Sequence, residues 1–62
     1  MVVENKGKVA LVTGGASGIG RSICLRLALK KITVLVVDLN LEAAQATVEE
    51  ITKNGGNAEA YA

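Results

Sequence analysis

Histidine, tryptophan and phenylalanine are missing from the 62 residues, and Tyr61 is the one aromatic side chain. Without histidine the commonest metal ligand is gone, and without aromatic faces a stacking reader of single-stranded nucleic acid has no platform for bases. Cysteine is almost as scarce, because Cys24 stands alone and cannot close an internal disulfide. A miniprotein stapled by disulfides or zinc is thereby excluded. Charge of one sign is lacking too: seven Lys and Arg against six Asp and Glu leave +1, so no strong field draws the chain to nucleic acid or to an anionic membrane. The longest apolar run, residues 32–37, is interrupted by Thr33 and stops at Asp38, far short of the ~20 residues that span a bilayer. Met1-Val2-Val3-Glu4 has no basic stretch leading into an apolar core and does not read as a secretory signal. The expected setting is soluble, reducing and cytoplasmic, with no membrane and no nucleic-acid partner.

Hydrophobic residues make up 50% of the chain, which argues against disorder. A chain of this size buries only about 60% of the surface that its unfolded form exposes. With neither staples nor aromatic bulk, it is expected to be part of something larger.

Residues 1–7 are mixed and polar and are expected to form a flexible lead-in. Lys8-Val9-Ala10-Leu11-Val12-Thr13 is short and valine-rich and ends at Gly14-Gly15, which favours a first strand buried on both faces. After a glycine-rich loop, Ile19, Ile23 and Leu27 recur at every fourth residue, with Leu25, Ala28 and Leu29 widening the stripe. This predicts a first helix with Arg21, Arg26, Lys30 and Lys31 toward water and the two lysines in its last turn, where cations suit the dipole. Residues 33–37 form a β-branched and aliphatic second strand closed by Asp38. Asn40 then offers an N-cap, Glu42 falls in the first turn, and Leu41, Ala44, Val48 and Ile51 share one face of a second helix. Asn54-Gly55-Gly56 ends that helix, glycine supplying a left-handed residue. Residues 57–62 alternate as a third strand. Strand, helix, strand, helix, strand is the pattern of a parallel sheet with right-handed crossovers.

The informative segment is Thr13-Gly14-Gly15-Ala16-Ser17-Gly18-Ile19-Gly20, set between a buried strand and an amphipathic helix. At such a junction the first helical N–H groups lack partners and, with the helix dipole, form a site for a diphosphate. Gly14 permits the sharp turn, Gly18 lets a ligand approach the backbone, and Gly20 lets the helix pack tightly on the sheet. The usual G-x-G-x-x-G spacing is absent; the spacing here is G-x-x-x-G-x-G. Asp38, closing the second strand, belongs at the same carboxyl edge of the sheet, where a carboxylate accepts hydrogen bonds from ribose hydroxyls. A 2′-phosphate there would meet like charge. No Arg or Lys stands at Ser17, Leu39 or Asn40 to compensate, so NAD is expected rather than NADP.

These residues resemble the N-terminal third of a short-chain dehydrogenase/reductase, and the resemblance covers nearly the whole chain. It implies an incomplete Rossmann-type fold, a doubly wound α/β sheet cut to βαβαβ, with residues 1–62 forming the first part of one NAD(P)-binding domain. The family's T-G-x-x-x-G-I-G loop binds the adenosine diphosphate part of the cofactor, a role that the resemblance carries onto Thr13, Gly14, Ser17, Gly18, Ile19 and Gly20. The acid closing the second strand binds the adenosine ribose, which carries over to Asp38, with Leu39 beside it in the same site. The implied reaction is hydride transfer between NAD(H) and an alcohol or carbonyl substrate.

The family's catalytic tyrosine stands four residues before a lysine, with a serine upstream, and its Asn-rich strand end follows the third strand; none of these is matched. Tyr61 falls within the third strand and has no such lysine. The chain also lacks the later helices through which members of the family form homo-oligomers. It is therefore expected to be inactive by itself, with a small-molecule substrate only in a longer protein. Two other readings stand beside this one: a noncatalytic truncated module that binds cofactor, and an interaction module whose exposed sheet edges pair with another chain. A triphosphate-binding loop is disfavoured, because Arg21 stands where G-x-x-x-x-G-K-[ST] needs lysine. Cys24, inside the first helix, reads as a packing residue. Glu49 and Glu50, like Lys30 and Lys31, read as solvated faces.

Overall fold

Two valine-rich segments, Val9–Thr13 and Thr33–Val37, form the centre of the fold because β-branched side chains suit a pleated, buried surface. The computed structural model describes residues 3–6 and 9–62. In chain order its elements are β1 (Val3–Lys6), β2 (Val9–Thr13), α1 (Gly18–Leu29), β3 (Thr33–Val37), α2 (Leu41–Lys53) and β4 (Ala58–Tyr61). The sheet runs β1-β2-β3-β4. Strands β2, β3 and β4 are parallel, with Thr13 beside Val37 and Val37 beside Tyr61, so their carboxyl ends share one edge.

The two crossovers step in the same direction, and right-handed connections then place both helices on one face. Alternate residues of the central strands, Ala10, Val12, Val34 and Val36, point to that face and are fully buried. They meet Cys24 of α1 and Ala44 and Ile51 of α2. The opposite residues, Leu11, Leu35 and Val37, are only half-buried. The result is an incomplete Rossmann-type α/β fold, with one layer of helices and one sheet.

Several sequence expectations are corrected. The N-terminal lead-in contains a strand, since Val3–Lys6 pairs antiparallel with β2, Val3 opposite Val12 and Lys6 opposite Val9. The unpaired edge of β2 carries a row of backbone donors and acceptors, and pairing satisfies them whatever the side chains prefer. Met1, Val2 and Gly7 of that lead-in, and Lys8 at the expected start of the first strand, lie outside the described residues. In α1 the buried line runs through Gly20 and Cys24, whereas Ile19 at 73% and Leu29 at 80% exposure face outward. The contact with the loop and sheet is close enough to select small residues for it. Lys30 and Lys31 also fall outside the last turn: Lys30 is the C-cap and Lys31 takes a left-handed φ of 62°. The chain must reverse at once into β3, and no glycine stands there to make the turn without strain. Finally, Glu50 is not merely solvated, because it forms an ion pair with Arg21 across the two helices.

The second helix follows its sequence pattern more closely. Asn40 caps it, its side-chain oxygen accepting the Ala43 N–H at 3.0 Å. Gly55 ends it at a φ of 86°. Leu41, expected on the inner face, is 40% exposed, while Thr47 is fully buried there.

Candidate functional site

The carboxyl edge of β2 leads directly into the glycine loop, and each loop peptide is held by a different neighbour. Gly14 turns the chain with a φ of 71°. Its carbonyl oxygen accepts the Ser17 N–H at 3.2 Å and the Ser17 hydroxyl at 2.9 Å. Ser17 is thus the N-cap by backbone position, yet its side chain makes no cap bond and closes the turn instead. Gly15 donates its N–H to the Val37 carbonyl at 3.2 Å. A Cβ at Gly15 would lie 2.6 Å from Val36 Cγ1 and 3.2 Å from Cys24 Sγ, so that glycine is dictated by the core.

Gly20 is dictated by the loop rather than by the sheet. A Cβ there would fall 2.0 Å from the Gly14 carbonyl oxygen, which no rotamer relieves. Gly18 is different in kind, since nothing lies within 4 Å of where its Cβ would be. The protein's own packing does not require glycine at that position. The first helical hydrogen bond is donated by Arg21 to the Ser17 carbonyl at 2.6 Å, so the amides of Gly18, Ile19 and Gly20 have no partner within the helix. Open space at Gly18 beside those amides fits an anionic group drawn close to backbone.

Asp38 completes the site. One carboxylate oxygen accepts the Ala16 N–H of the loop at 3.1 Å and the other accepts the Asn40 N–H at 3.0 Å. The acid at the end of β3 and the glycine loop are therefore one unit. Each oxygen keeps a further lone pair for another donor. Leu39 is fully exposed next to it, and Ile19 projects outward on the helix side. Thr13, at the last position of β2, lies beside Val37. The structure thus gathers the residues singled out from the sequence around one edge.

Thr47 escaped the sequence reading. Its hydroxyl donates to the Gly15 carbonyl oxygen at 3.3 Å from the buried face of α2. The only signal was a threonine at helical spacing between Ala44 and Ile51, which is equally the pattern of a helix flank. A recess of about 120 Å3 lies at the other end of the helices, among Leu25, Ala28, Leu29, Ile51 and Gly56, away from this edge.

Cys24 sits beneath the loop, and burial pushes its thiol up to about 11. It is a packing group here, not a nucleophile. Tyr61 is exposed at the end of β4 and donates its hydroxyl to Glu59 at 2.7 Å, and that carboxylate raises its pKa.

The model of the short chain dehydrogenase family matches residues 8–62. The chain belongs to this family. Cyclohexanol dehydrogenase of Acinetobacter sp. (strain SE19) is 52% identical over 61 residues, covering 95% of this chain and 24% of the relative. The 7alpha-hydroxysteroid dehydrogenase of Escherichia coli (strain K12) is 43% identical over 52 residues, covering 84% of this chain and 20% of the relative. Among solved structures, a metagenomic short-chain oxidoreductase in complex with NADP superposes with a TM-score of 0.87 at 37% identity, over 92% of this chain and 26% of that one. A putative D-mannonate oxidoreductase from Haemophilus influenza with bound NAD gives 0.81 at 34% identity, over 86% and 19%. The chain spans about a quarter or less of the length of these relatives. Of the two solved structures, one holds NADP and the other NAD. Among the described residues no helix is long and apolar enough to cross a membrane.

Proposed function

We propose that this chain holds the adenosine diphosphate end of NAD for an oxidoreductase that moves hydride between the cofactor and an alcohol or carbonyl compound. The observation that carries the reading is the hydrogen bond between Ala16 N–H and Asp38, which makes the diphosphate loop and the ribose acid a single rigid feature. The amides of Gly18, Ile19 and Gly20, with the dipole of α1, would hold the diphosphate. The open approach at Gly18 leaves room for it. Thr13, Gly14 and Ser17 shape the turn, Ile19 and Leu39 border the site, and the spare lone pairs of Asp38 would take ribose hydroxyls. When bound, the cofactor supplies the carbon that gives or takes hydride. The chain's own part is to bind and orient. Residues that protonate or deprotonate a substrate are proposed to belong to a longer protein, as are its substrate and its oligomeric contacts.

The preference for NAD follows from charge. A 2′-phosphate would approach the Asp38 carboxylate with no Arg or Lys at Ser17, Leu39 or Asn40 to offset the repulsion. It would also compete with the bond that anchors Ala16. Calorimetric titration should show NAD binding at least tenfold tighter than NADP, a difference of about 1.4 kcal/mol. Asp38→Ala combined with Leu39→Arg should reduce or reverse that ratio. An unchanged ratio in the double variant would remove Asp38 from the ribose role.

A further inference from the structure

The peptide unit joining Gly15 to Ala16 is gripped at both of its polar ends from outside the loop. Its N–H is donated to Asp38 at 3.1 Å, and its carbonyl oxygen accepts the Thr47 hydroxyl at 3.3 Å. Thr47 is 1% exposed and is the one buried polar residue in a core otherwise built from Ala, Val, Ile and Cys, among the described residues. A threonine inside a helix ordinarily returns its hydroxyl to the carbonyl four residues back. Here that acceptor, Ala43 O, is the more distant at 3.5 Å, and the single hydroxyl proton has a nearer acceptor across the interface on the glycine loop. Gly15 is further fixed by its own N–H bond to Val37, and Val36 and Cys24 leave no room for a side chain on it. Thr47 and Asp38 thus oppose rotation of this one peptide from two sides.

We propose that Thr47 is a positioning residue for the dinucleotide site, acting through the Gly15 carbonyl to fix the peptide from which the loop runs into the helix amides. Thr47 touches no cofactor itself. By holding the carbonyl it keeps the Ala16 N–H aimed at Asp38, so the acid and the helix amides stay in fixed relation. The role rests on the reading that this loop receives a diphosphate, but the clamp itself can be tested without ligand.

The test uses the full 62-residue chain, 15N-labelled, as wild type, Thr47→Val and Thr47→Ser. Valine keeps the shape and removes the hydroxyl; serine keeps the hydroxyl. Without ligand, amide exchange at Ala16 and Ser17 should quicken in the valine variant and return to the wild-type rate in the serine variant, while Val34 and Ile51 stay protected in all three. Titrated with NAD, the valine variant should bind about fivefold more weakly, the effect of one lost hydrogen bond, and the serine variant within about twofold of wild type. Unchanged exchange at Ala16 and Ser17 in the valine variant would overturn the clamp whatever the ligand does. Equal loosening of Val34 and Ile51 would also overturn it, reducing Thr47 to a core contact. If the loop amides respond as expected but the wild type binds no NAD, the clamp stands and the reading of the site falls.

Discussion

Two glycines two residues apart, Gly18 and Gly20, are glycine for different reasons, and the difference separates folding from binding. Gly20 cannot carry a side chain because the Gly14 carbonyl occupies the space, whereas Gly18 faces open space. Gly20→Ala should therefore lower stability by about 3 kcal/mol or distort the loop. Gly18→Ala should leave stability within about 0.5 kcal/mol of wild type while weakening NAD binding tenfold or more. Denaturant midpoints alongside calorimetry check both; equal loss of stability in the two variants would contradict the distinction. Cys24 supplies a pH dependence. Its thiol ionises near 9 in the unfolded chain and near 11 in the fold, so the folded state binds the proton more tightly across that window. Stability is fully present below pH 9 and should fall between pH 9 and 11, by at most about 3 kcal/mol. Cys24→Ala should flatten that part of the pH profile of the denaturation midpoint, even though Tyr61, with its pKa also raised, continues to contribute in the same direction.

Helix α1 ends under strain where α2 does not. Gly55 takes the left-handed position after α2, but Lys31 takes it after α1 with a φ of 62°. Lys31→Gly should stabilise the fold by about 0.5 to 1 kcal/mol, net of the extra freedom glycine gives the unfolded chain. A higher urea midpoint at unchanged slope would show it; a lower midpoint would contradict it. The contrast also marks what the sequence makes legible. The strand Thr33–Val37, the Asn40 cap and the Gly55 stop are carried by residue types with strong local preferences, and each appears where those preferences place it. The glycine loop and Asp38 are legible for a related reason, since a position that excludes a side chain, or needs a carboxylate, is visible in the residue itself. The strand Val3–Lys6 is not legible, because Glu4, Asn5 and Lys6 have weak strand preference and are recruited by the open edge of β2. Nor is Thr47, whose partner lies 32 residues away in sequence. The outward turn of Ile19 and Leu29 likewise comes from close tertiary packing at Gly20 and Cys24, which a fourfold repeat of large residues does not reveal.

At the scale of the molecule, one sheet with helices on one face brings three strand ends to a single edge, and the site lies along it. The other face, with Leu11, Leu35 and Val37, is half-buried, and Val9 at its border is 43% exposed. The arrangement gathers the bonds of Gly14, Gly15 and Ala16 and the close approach at Gly20 at the β2 and β3 ends, where a diphosphate and a ribose would meet them. That concentration is what makes a binding role, rather than a purely structural one, the reading the fold favours. The most direct test is a titration of the 15N-labelled chain with NAD, followed by amide chemical shifts. The amides of Gly18, Ile19 and Gly20, together with Asp38 and Leu39, should shift in a saturable manner, and those lining the recess around Leu25 and Gly56 should not. No shifts at the loop, or shifts confined to that recess, would contradict the account.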